Sequence, residues 1–487
     1  MKMRLHELLQ GIYDLPIDEK TAQTEITSIS VDSRTVSPGA LFIALKGTTY
    51  DGSAFIEEAI QKGARVIATD NQNILKVSHG HVGLLHVPTP QEFLVSSIRK
   101  FYGRPSQDVR VIGVTGTNGK TTITYMIESI LNADDKECGV VGTINYRIGN
   151  RLIPSTNTTP GLVDNQKFLF DLKSEGIDYC VMEVSSHALA QGRVNLIDFD
   201  TAVFTNLTVD HLDYHGDKSS YFAAKTKLFT DFPSLKSAVI NIDDEYGRKI
   251  VSMTSANVLT YGIKDHAKVR AVDVQLNMSF TEFKLECEEG TIALRTNFVG
   301  LYNVSNALAA AAACLAQGVG LDKIKTGIEN LKNVPGRLEK VDFGQEFTIL
   351  LDYAHTEDAL SNVLSTIRYT SDAKIILVFG CGGNRDKSKR PAMAKVASQL
   401  TDFSIITSDN PRNEEPEDII AEIVQGFDGG HYKVIVDRTK AIEEALKMAH
   451  KGDIVLIAGK GHETYQIFKD RTIKYDEREV IRQILLC

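Results

Sequence analysis

The run Gly116-Thr117-Asn118-Gly119-Lys120-Thr121, followed by Thr122, sets small residues ahead of an ammonium and a hydroxyl. Small residues let backbone N–H groups wrap phosphate oxygens, a lysine reaches the terminal phosphates, and a threonine hydroxyl reaches Mg²⁺. The spacing departs from the common GxxxxGK[ST], because position 114 is Val114, and Gly116 makes a shorter GxxGKT loop. "VRVIGV" before it reads as a strand. In "ITYMIESILNA" after it, Ile123, Ile127, Ile130 and Leu131 fall at helical spacing. A glycine turn that merely caps a helix is the plainer reading; strand, GKT and helix together favour ATP or GTP.

Other groups have chemistry to offer. Glu183 ends the apolar run "YCVMEV" and precedes Ser185 and Ser186. A carboxylate there suits Mg²⁺, which prefers oxygen ligands, or it belongs to a helix start capped by the serines. His211 and His215 stand four apart in "DHLDYHG", but the metalloprotease HExxH needs Glu where Leu212 stands, and Gly216 argues for a loop. One histidine near a nucleotide-bound metal is the better expectation than a zinc site. Lys225, in "YFAAKTKLF", has nothing local to set it apart from a solvated helix lysine. "SDNPRNEEPEDI" raises a different question: Asn410, Pro411 and Arg412 lie between the apolar Phe403–Ile406 and an acidic helix start with Glu414, Glu415 and Glu417. Alone, that is a turn feeding a helix.

The elements that must position these groups are legible. "YCVMEV", "TAVFTNL" and "SAVINID" read as buried strands, and after Val334-Pro335-Gly336-Arg337 come "FTILLDYAH", "KIILVFGCGG", "DFSIITSDN" and "DIVLIAGKGHE". Buried apolar strands alternating with helices predict an α/β fold with mostly parallel sheets. The polar oddities sit just past the ends of these strands: Glu183, Asn206 to His211, Asp352 to His355, Arg385, Asn410 to Arg412, and Gly459 to Glu463. That edge is where ligands bind in open α/β sheets. The first hundred residues mix short helices and strands, as in "AFIEEAIQKGARVIATD", with a break near Tyr102 to Pro105.

Bulk properties narrow the class. A length of 487 residues suits about three domains. A net charge of −9 argues against a nucleic-acid partner. Six cysteines, at 138, 180, 287, 314, 381 and 487, form no CxxC pair, so neither a disulfide framework nor a structural zinc is expected. The N-terminus lacks the apolar core of a signal peptide, and the Ala-rich run Ala307 to Ala316 is too short to span a bilayer and reads as a buried helix. A cytoplasmic location without membrane insertion is the expectation.

Taken in order, "VDSR" (Val31 to Arg34), "GTNGKTT", "NTTP", "MEVSSHAL", "TNLTVDHLDYHG", "AAK", "GLYNVSNALAA", "VPGRLE", "DYAHT", "GCGGNRDKSKRP", "SDNPR" and "GKGHE" resemble the motifs of the Mur ligases over nearly the whole chain. The nearest likeness is to the branch that adds the third amino acid. The resemblance implies three domains: 1–105 for a UDP-sugar, 106–335 for ATP, and a Rossmann-like 336–487 for the incoming amino acid. It implies an ATP-dependent acid–amino-acid ligase of peptidoglycan precursor synthesis, serving wall growth, cell shape and division, and expected as a monomer. ATP would phosphorylate the D-glutamyl γ-carboxylate of UDP-N-acetylmuramoyl-L-alanyl-D-glutamate, and an amine would attack the acyl phosphate.

Carried over by position, the ATP contacts are Gly116, Thr117, Asn118, Gly119, Lys120, Thr121, Thr122, Asn303, Arg337 and Asp352, with His355 close by. Thr121, Glu183, His211 and a carbamylated Lys225 would hold Mg²⁺. Ser33, Asn157, Thr158, Thr159, Ser185, Gln191 and Arg193 match positions that hold the UDP-sugar substrate. Arg385, Asp409, Asn410, Pro411, Arg412, Gly459 and Glu463 match the amino-acid site. The opening question is then answered by meso-diaminopimelate, whose distal carboxylate would pair with Arg412 and whose distal ammonium would meet Glu463 and the Gly459 carbonyl. L-Lysine lacks that carboxylate, and an unpaired site of this kind discriminates by as much as ~10⁴-fold. A lysine-adding ligase is the alternative; a dipeptide adder, a folate polyglutamate ligase and a nucleotide-switched binding module fit "SDNPR" with "GKGHE" less well. Glu357 departs from the family pattern, which commonly has Pro after "DYAHT", and puts that turn in question.

Overall fold

A computed structural model describes residues 1–12, 17–47, 51–73, 81–264, 266–429 and 431–486. By their contacts they divide into two units. The first comprises Met1–Val109, Pro160–Gly176 and Arg193–Ile197. Its sheet has four parallel strands in chain order, Ser28–Ser30, Ala40–Ile43, Val66–Thr69 and Gly83–His86. The expected helix-then-strand unit is there as Ile56–Gln61 and Val66–Thr69. Apolar side chains cover both faces, Phe93, Ile98 and Phe101 of the helix Pro90–Tyr102 on one and Ile56 and Ala59 on the other.

The second unit comprises Arg110–Thr159, Ile177–Gly192 and Asp198–Cys487. It holds an eleven-stranded sheet and a six-stranded one. In the larger sheet the strands Cys138–Val141, Tyr179–Glu183, Arg110–Thr115, Phe199–Phe204, Ser237–Asn241, Asn257–Gly262 and Val269–Leu276 run parallel, and antiparallel hairpins close both ends. The helix Lys120–Ala133 presents Ile123, Ile127, Ile130 and Leu131 to its core, as their spacing predicts. The Ala-rich run is the buried helix expected: it lies in Leu301–Leu315, and every residue from Ala307 to Cys314 is 0% exposed.

The smaller sheet is ordered Glu339–Val341, Thr348–Asp352, Ile454–Ala458, Ile375–Phe379, Phe403–Ile406, Tyr432–Val434, all parallel except the first. The last parallel strand in the chain, Ile454–Ala458, inserts between the earlier Thr348–Asp352 and Ile375–Phe379. The chain therefore reverses its direction of travel across the sheet, and "DYAHT", "GCGGNR", "SDNPR" and "GKGHE" all emerge at one edge. Helices cover both faces, with Leu360, Met393 and Ile420 packed on one and Ala441, Ile442 and Ile481 on the other. Glu357 leaves the questioned turn intact: it opens the helix Glu357–Thr370, where Thr356 caps Ala359 N, and a carboxylate is favourable in a first turn. No described helix is long and apolar enough to cross a membrane. The described cysteines are free thiols, and Cys487 lies outside the described residues.

Candidate active site

The phosphate loop leaves the strand Arg110–Thr115 and opens the helix Lys120–Ala133. Its glycines are required: at Gly116 (φ 147) an added Cβ would lie 1.8 Å from Thr205 Oγ1, and at Gly119 (φ 89) 2.4 Å from Asn306 Oδ1. Side chains from neighbouring elements hold the loop. Asn206 Oδ1 accepts from Asn118 N at 3.0 Å, Thr205 Oγ1 donates to Asn118 O at 2.7 Å, and Thr117 Oγ1 accepts from Thr208 N at 3.0 Å. Lys120 Nζ donates to the Gly116 and Thr117 carbonyls at 2.9 and 2.8 Å.

Ser185 caps the helix Ser186–Ala190, as the serine reading expects, and the carboxylate of Glu183, which is 1% exposed, turns to the phosphate loop. There it accepts from Thr121 Oγ1 at 3.0 Å, from Thr143 N at 2.8 Å and from Thr143 Oγ1 at 3.0 Å. Lys225 is not the solvated helix lysine that its local sequence suggests. It projects from Lys218–Thr230, is 1% exposed, and donates to Gly116 O at 2.8 Å, with Tyr221's ring 4.6 Å from its ammonium. Burial first, and Lys120 second, hold its pKa well below the ordinary lysine value.

The stretch from Asp210 to Gly216 contains a helical turn rather than the expected loop. His211 adopts a left-handed conformation (φ 55), Leu212–His215 makes one turn, and Gly216 ends it. Asp210 pairs with His211 at 3.3 Å, His187 meets His211 edge-on and Tyr214 at a tilt, and His215 meets Ser186 Oγ at 2.9 Å. Desolvation holds His211 below the usual histidine range despite Asp210 beside it. Among the described residues, no group of three or more His, Cys, Asp or Glu side chains is arranged to hold a metal by itself. The Thr121 hydroxyl and the Glu183 carboxylate, 3.0 Å apart, are nonetheless hard oxygen donors of the kind Mg²⁺ takes together with nucleotide phosphates.

Two clefts meet the ends of these strands. One, of about 370 Å³, is lined by Asn118, Gly119, Thr122, Asn303, Arg337 and Asp352 among others. Arg337 Nη2 donates to Thr121 Oγ1 at 2.9 Å, and Asn118 Nδ2 to Asp358 Oδ2 at 2.7 Å, so both sheets of the second unit contribute to it. Asp352 accepts from Leu338 N at 2.6 Å and Ala354 N at 2.7 Å; burial raises its pKa, with Arg337 opposing. Asn303 is tied to Val299 O at 2.9 Å and to Asn306 at 3.0 Å.

The other cleft, of about 230 Å³, brings together Thr158, His211, Arg385, Asp409, Asn410, Arg412, Gly459 and Glu463; Pro411 shapes the loop from outside it. Tyr353 and His355 line both clefts. The turn seen in "DNPR" closes from Pro411 O to Glu414 N at 3.1 Å, and Arg412 sits within it at φ 55. Arg412 Nη1 donates to Gly383 O at 2.9 Å, and among the described residues neither Arg412 nor Arg385 makes an ion pair. Desolvation and the neighbouring Arg385 both press Arg412 below the ordinary arginine value, as expected for a cation set to meet an anion. Asn410 is committed internally, donating to Glu463 at 2.8 Å and accepting from Lys460 Nζ at 3.1 Å and Ile467 N at 3.0 Å. Burial raises the pKa of Glu463, with Lys460 opposing.

The remaining sequence-predicted residues are spread over both units. Ser33 and Arg193 lie in the first; Asn157, Thr158, Thr159, Ser185 and Gln191 lie in the second. Ser33 donates to Glu58 at 2.6 Å, and Arg193 O accepts from Asn165 at 3.0 Å. Asn157 O accepts from Tyr146 OH at 2.6 Å, Thr158 and Thr143 hydroxyls meet at 3.1 Å, Thr159 Oγ1 donates to Glu183 O at 2.8 Å, and Gln191 donates to Tyr214 OH at 3.2 Å. Sequence reasoning passed over Lys460, which is fully buried between Asp409 and Glu463, and Asp358 and Asn306 in the larger cleft. Lys460 lies inside "GKGHE" and Asp358 just beyond "DYAHT", so both were within reach of the motifs.

Three family models match the chain: the Mur ligase family catalytic domain over residues 25–102, the Mur ligase middle domain over 114–314, and the Mur ligase glutamate ligase domain over 336–461. A protein of Geobacillus thermodenitrificans named UDP-N-acetylmuramoyl-L-alanyl-D-glutamate--2,6-diaminopimelate ligase is 44% identical over 488 residues, 99% of each chain. One of the same name from Clostridium tetani is 42% identical over 489 residues, again 99% of each. Among solved structures, one under that name aligns with a TM-score of 0.65 at 33% identity, covering 100% of this chain and 99% of the other. With end-to-end relatives at this identity and matching models in all three segments, the chain belongs to the Mur ligase family.

Proposed function

We propose that the protein is an ATP-dependent ligase that adds meso-2,6-diaminopimelate to the D-glutamyl γ-carboxylate of UDP-N-acetylmuramoyl-L-alanyl-D-glutamate in peptidoglycan precursor synthesis. The observation that carries this reading is the smaller cleft, lined by Arg385 and Arg412, which make no ion pair among the described residues, and by the carboxylates of Asp409 and Glu463. Meso-diaminopimelate presents the complementary set, a distal carboxylate for Arg412 and Arg385 and a distal ammonium for Glu463 and the Gly459 carbonyl. L-Lysine would leave both arginines unmatched. The names of the full-length relatives point the same way.

In this reading the division is threefold, with residues 1–105 for the UDP-sugar, 106–335 for ATP and 336–487 for the amino acid. Gly116 to Thr122 bind the ATP phosphates, Lys120 facing the transferred one, while Asn303, Arg337 and Asp352 hold the nucleotide's other end. Ser33, Asn157, Thr158, Thr159, Ser185, Gln191 and Arg193 hold the UDP-sugar. Thr121, Glu183, His211 and Lys225 as its carbamate would hold Mg²⁺, which when bound offsets charge on the phosphate oxygens. A glutamyl carboxylate oxygen attacks the γ-phosphorus and ADP leaves. The diaminopimelate nitrogen, having lost a proton, then attacks the carbonyl carbon, and phosphate departs with the C–O electron pair. The chain supplies positioning and charge stabilisation rather than a covalent group. Lys225 suits carbamylation because burial favours its neutral amine, the form that reacts with CO₂. The same reading makes the protein a cytoplasmic monomer.

The test is phosphate release from ATP with the UDP-muramoyl dipeptide, comparing meso-diaminopimelate and L-lysine as acceptors. Release with diaminopimelate alone supports the assignment. Release with lysine keeps a ligase but removes the specificity given to Arg412.

A further inference from the structure

Arg385 and Arg412 sit on separate loops, and what fixes one against the other lies behind the cleft. The loop after Ile375–Phe379 and the loop after Phe403–Ile406 are laced by Gly383 N to Asn410 O at 2.9 Å, Arg412 Nη1 to Gly383 O at 2.9 Å and Asn413 N to Asn384 Oδ1 at 3.0 Å. Both loops carry a non-glycine residue in a left-handed conformation, Asn384 at φ 52 and Arg412 at φ 55. Asparagine takes this conformation at little cost, but an arginine persists in it only where its surroundings over-determine it. The fastening is Arg390, which is 0% exposed. It grips Glu414 with two hydrogen bonds of 2.9 and 3.0 Å, reaches Glu422 at 2.6 Å, and extends toward Gly382 O at 3.4 Å. Glu414 in turn accepts from Asn384 N. Arg390 thus ties the second loop, through Glu414, to the main chain of the first. Its hydrogen bond with Arg390 pushes Glu414 down to about 2, so the pair is ionised at any working pH.

We infer that Arg390 and Glu414 act as positioning residues for amino-acid selection, holding Arg385 and Arg412 at the separation that a distal carboxylate requires. The inference rests on the diaminopimelate reading above. Neither residue is among the lining of the cleft, so their effect must pass through the two loops.

The experiment uses the full chain and steady-state phosphate release with each substrate varied in turn. Glu414→Gln keeps the shape and weakens the grip; Arg390→Lys keeps the charge and removes the fork. Each is expected to lower kcat/KM for diaminopimelate by about ten-fold or more, the scale of one charge-assisted contact. The KM for ATP and for the UDP-muramoyl dipeptide stays within about two-fold. The discrimination against L-lysine falls in parallel. In an Arg412→Ala background Glu414→Gln has a much smaller further effect, since the separation it sets has lost one of its two members. An unchanged diaminopimelate kcat/KM, a parallel rise of all three KM values, or a full additional loss in the Arg412→Ala background would each overturn the inference. If Arg390→Lys does not fold, Glu414→Gln decides alone. Absence of diaminopimelate-dependent release from the unaltered protein is read before any variant and removes the functional reading itself.

Discussion

Lys120 and Lys225 donate to one oxygen, the carbonyl of Gly116, at 2.9 and 2.8 Å. Two ammonium groups on a single acceptor repel; burial lowers both, and Lys225, 1% exposed, is held well below the ordinary lysine value by burial and by Lys120. A neutral amine can take up CO₂, and carbamylation would replace the repulsion by a carboxylate-like partner for Mg²⁺ and Lys120. Lys225→Ala is therefore expected to lower kcat by about 10²-fold or more, the loss typical of a group that stabilises developing charge. ¹³C NMR with labelled bicarbonate should show a carbamate signal in the unaltered protein that the variant lacks. A signal that persists in the variant would locate the carbamate elsewhere.

Arg337 links the two sheets of the second unit at the larger cleft, donating to Thr121 Oγ1 at 2.9 Å while its guanidinium lies 4.8 Å from the centre of the Tyr353 ring. Among the described residues its buried Nε has no hydrogen-bond partner. Arg337→Ala is expected to raise the ATP KM by about ten-fold or more, leaving that for the amino acid within about two-fold. Equal effects on both would show that Arg337 holds the sheets together without reading the nucleotide.

How much of this was legible depended on whether a residue's role was local. Strands of unbroken Val, Ile and Leu, such as "IILVF" at Ile375–Phe379, were visible because both their faces are buried. So was the phosphate loop, whose glycines answer local steric demands at Gly116 and Gly119. Lys225 was not, since its burial beside Gly116 joins residues 109 positions apart. The one helical turn at Leu212–His215 was hidden because Gly216, read as a loop signal, instead ends the turn at φ 81. Lys460 was passed over because lysine is ordinarily a surface residue, and only the tertiary fold sets it between Asp409 and Glu463.

Acid should destabilise the fold through histidines held neutral. Desolvation pushes His355 down to about 4 and His462 to about 3, against an ordinary value near 6.5. In the unfolded chain both protonate near pH 6.5, so between there and the folded values the unfolded state binds more protons. Stability is thus intact above pH 6.5 and falls as the pH drops from 6.5 toward 4, by at most about 1.4 kcal/mol per pH unit for each histidine. Denaturant midpoints measured from pH 7.5 to 4.5 should show a shallower decline in His462→Asn than in the unaltered protein. The same slope in both would mean that His462 titrates normally.

Arg412 offers the sharpest division between a turn and a specificity device. As a turn residue it needs only to tolerate φ 55, and Arg412→Asn, a residue that adopts this conformation readily, would cost nothing in function. As the partner of a distal carboxylate it needs the guanidinium, and losing one member of a buried hydrogen-bonded charge pair costs about 2–5 kcal/mol, roughly 30- to 5,000-fold in binding. Arg412→Asn is therefore expected to raise the diaminopimelate KM by that factor and the ATP KM hardly at all. Arg412→Lys should recover only part of the loss, because one ammonium cannot reproduce a two-pronged contact. L-Lysine, which never had the carboxylate, should be used no worse by the variants than by the unaltered protein. If Arg412→Asn leaves the diaminopimelate KM unchanged, the arginine serves the turn, and selection rests with Arg385 alone.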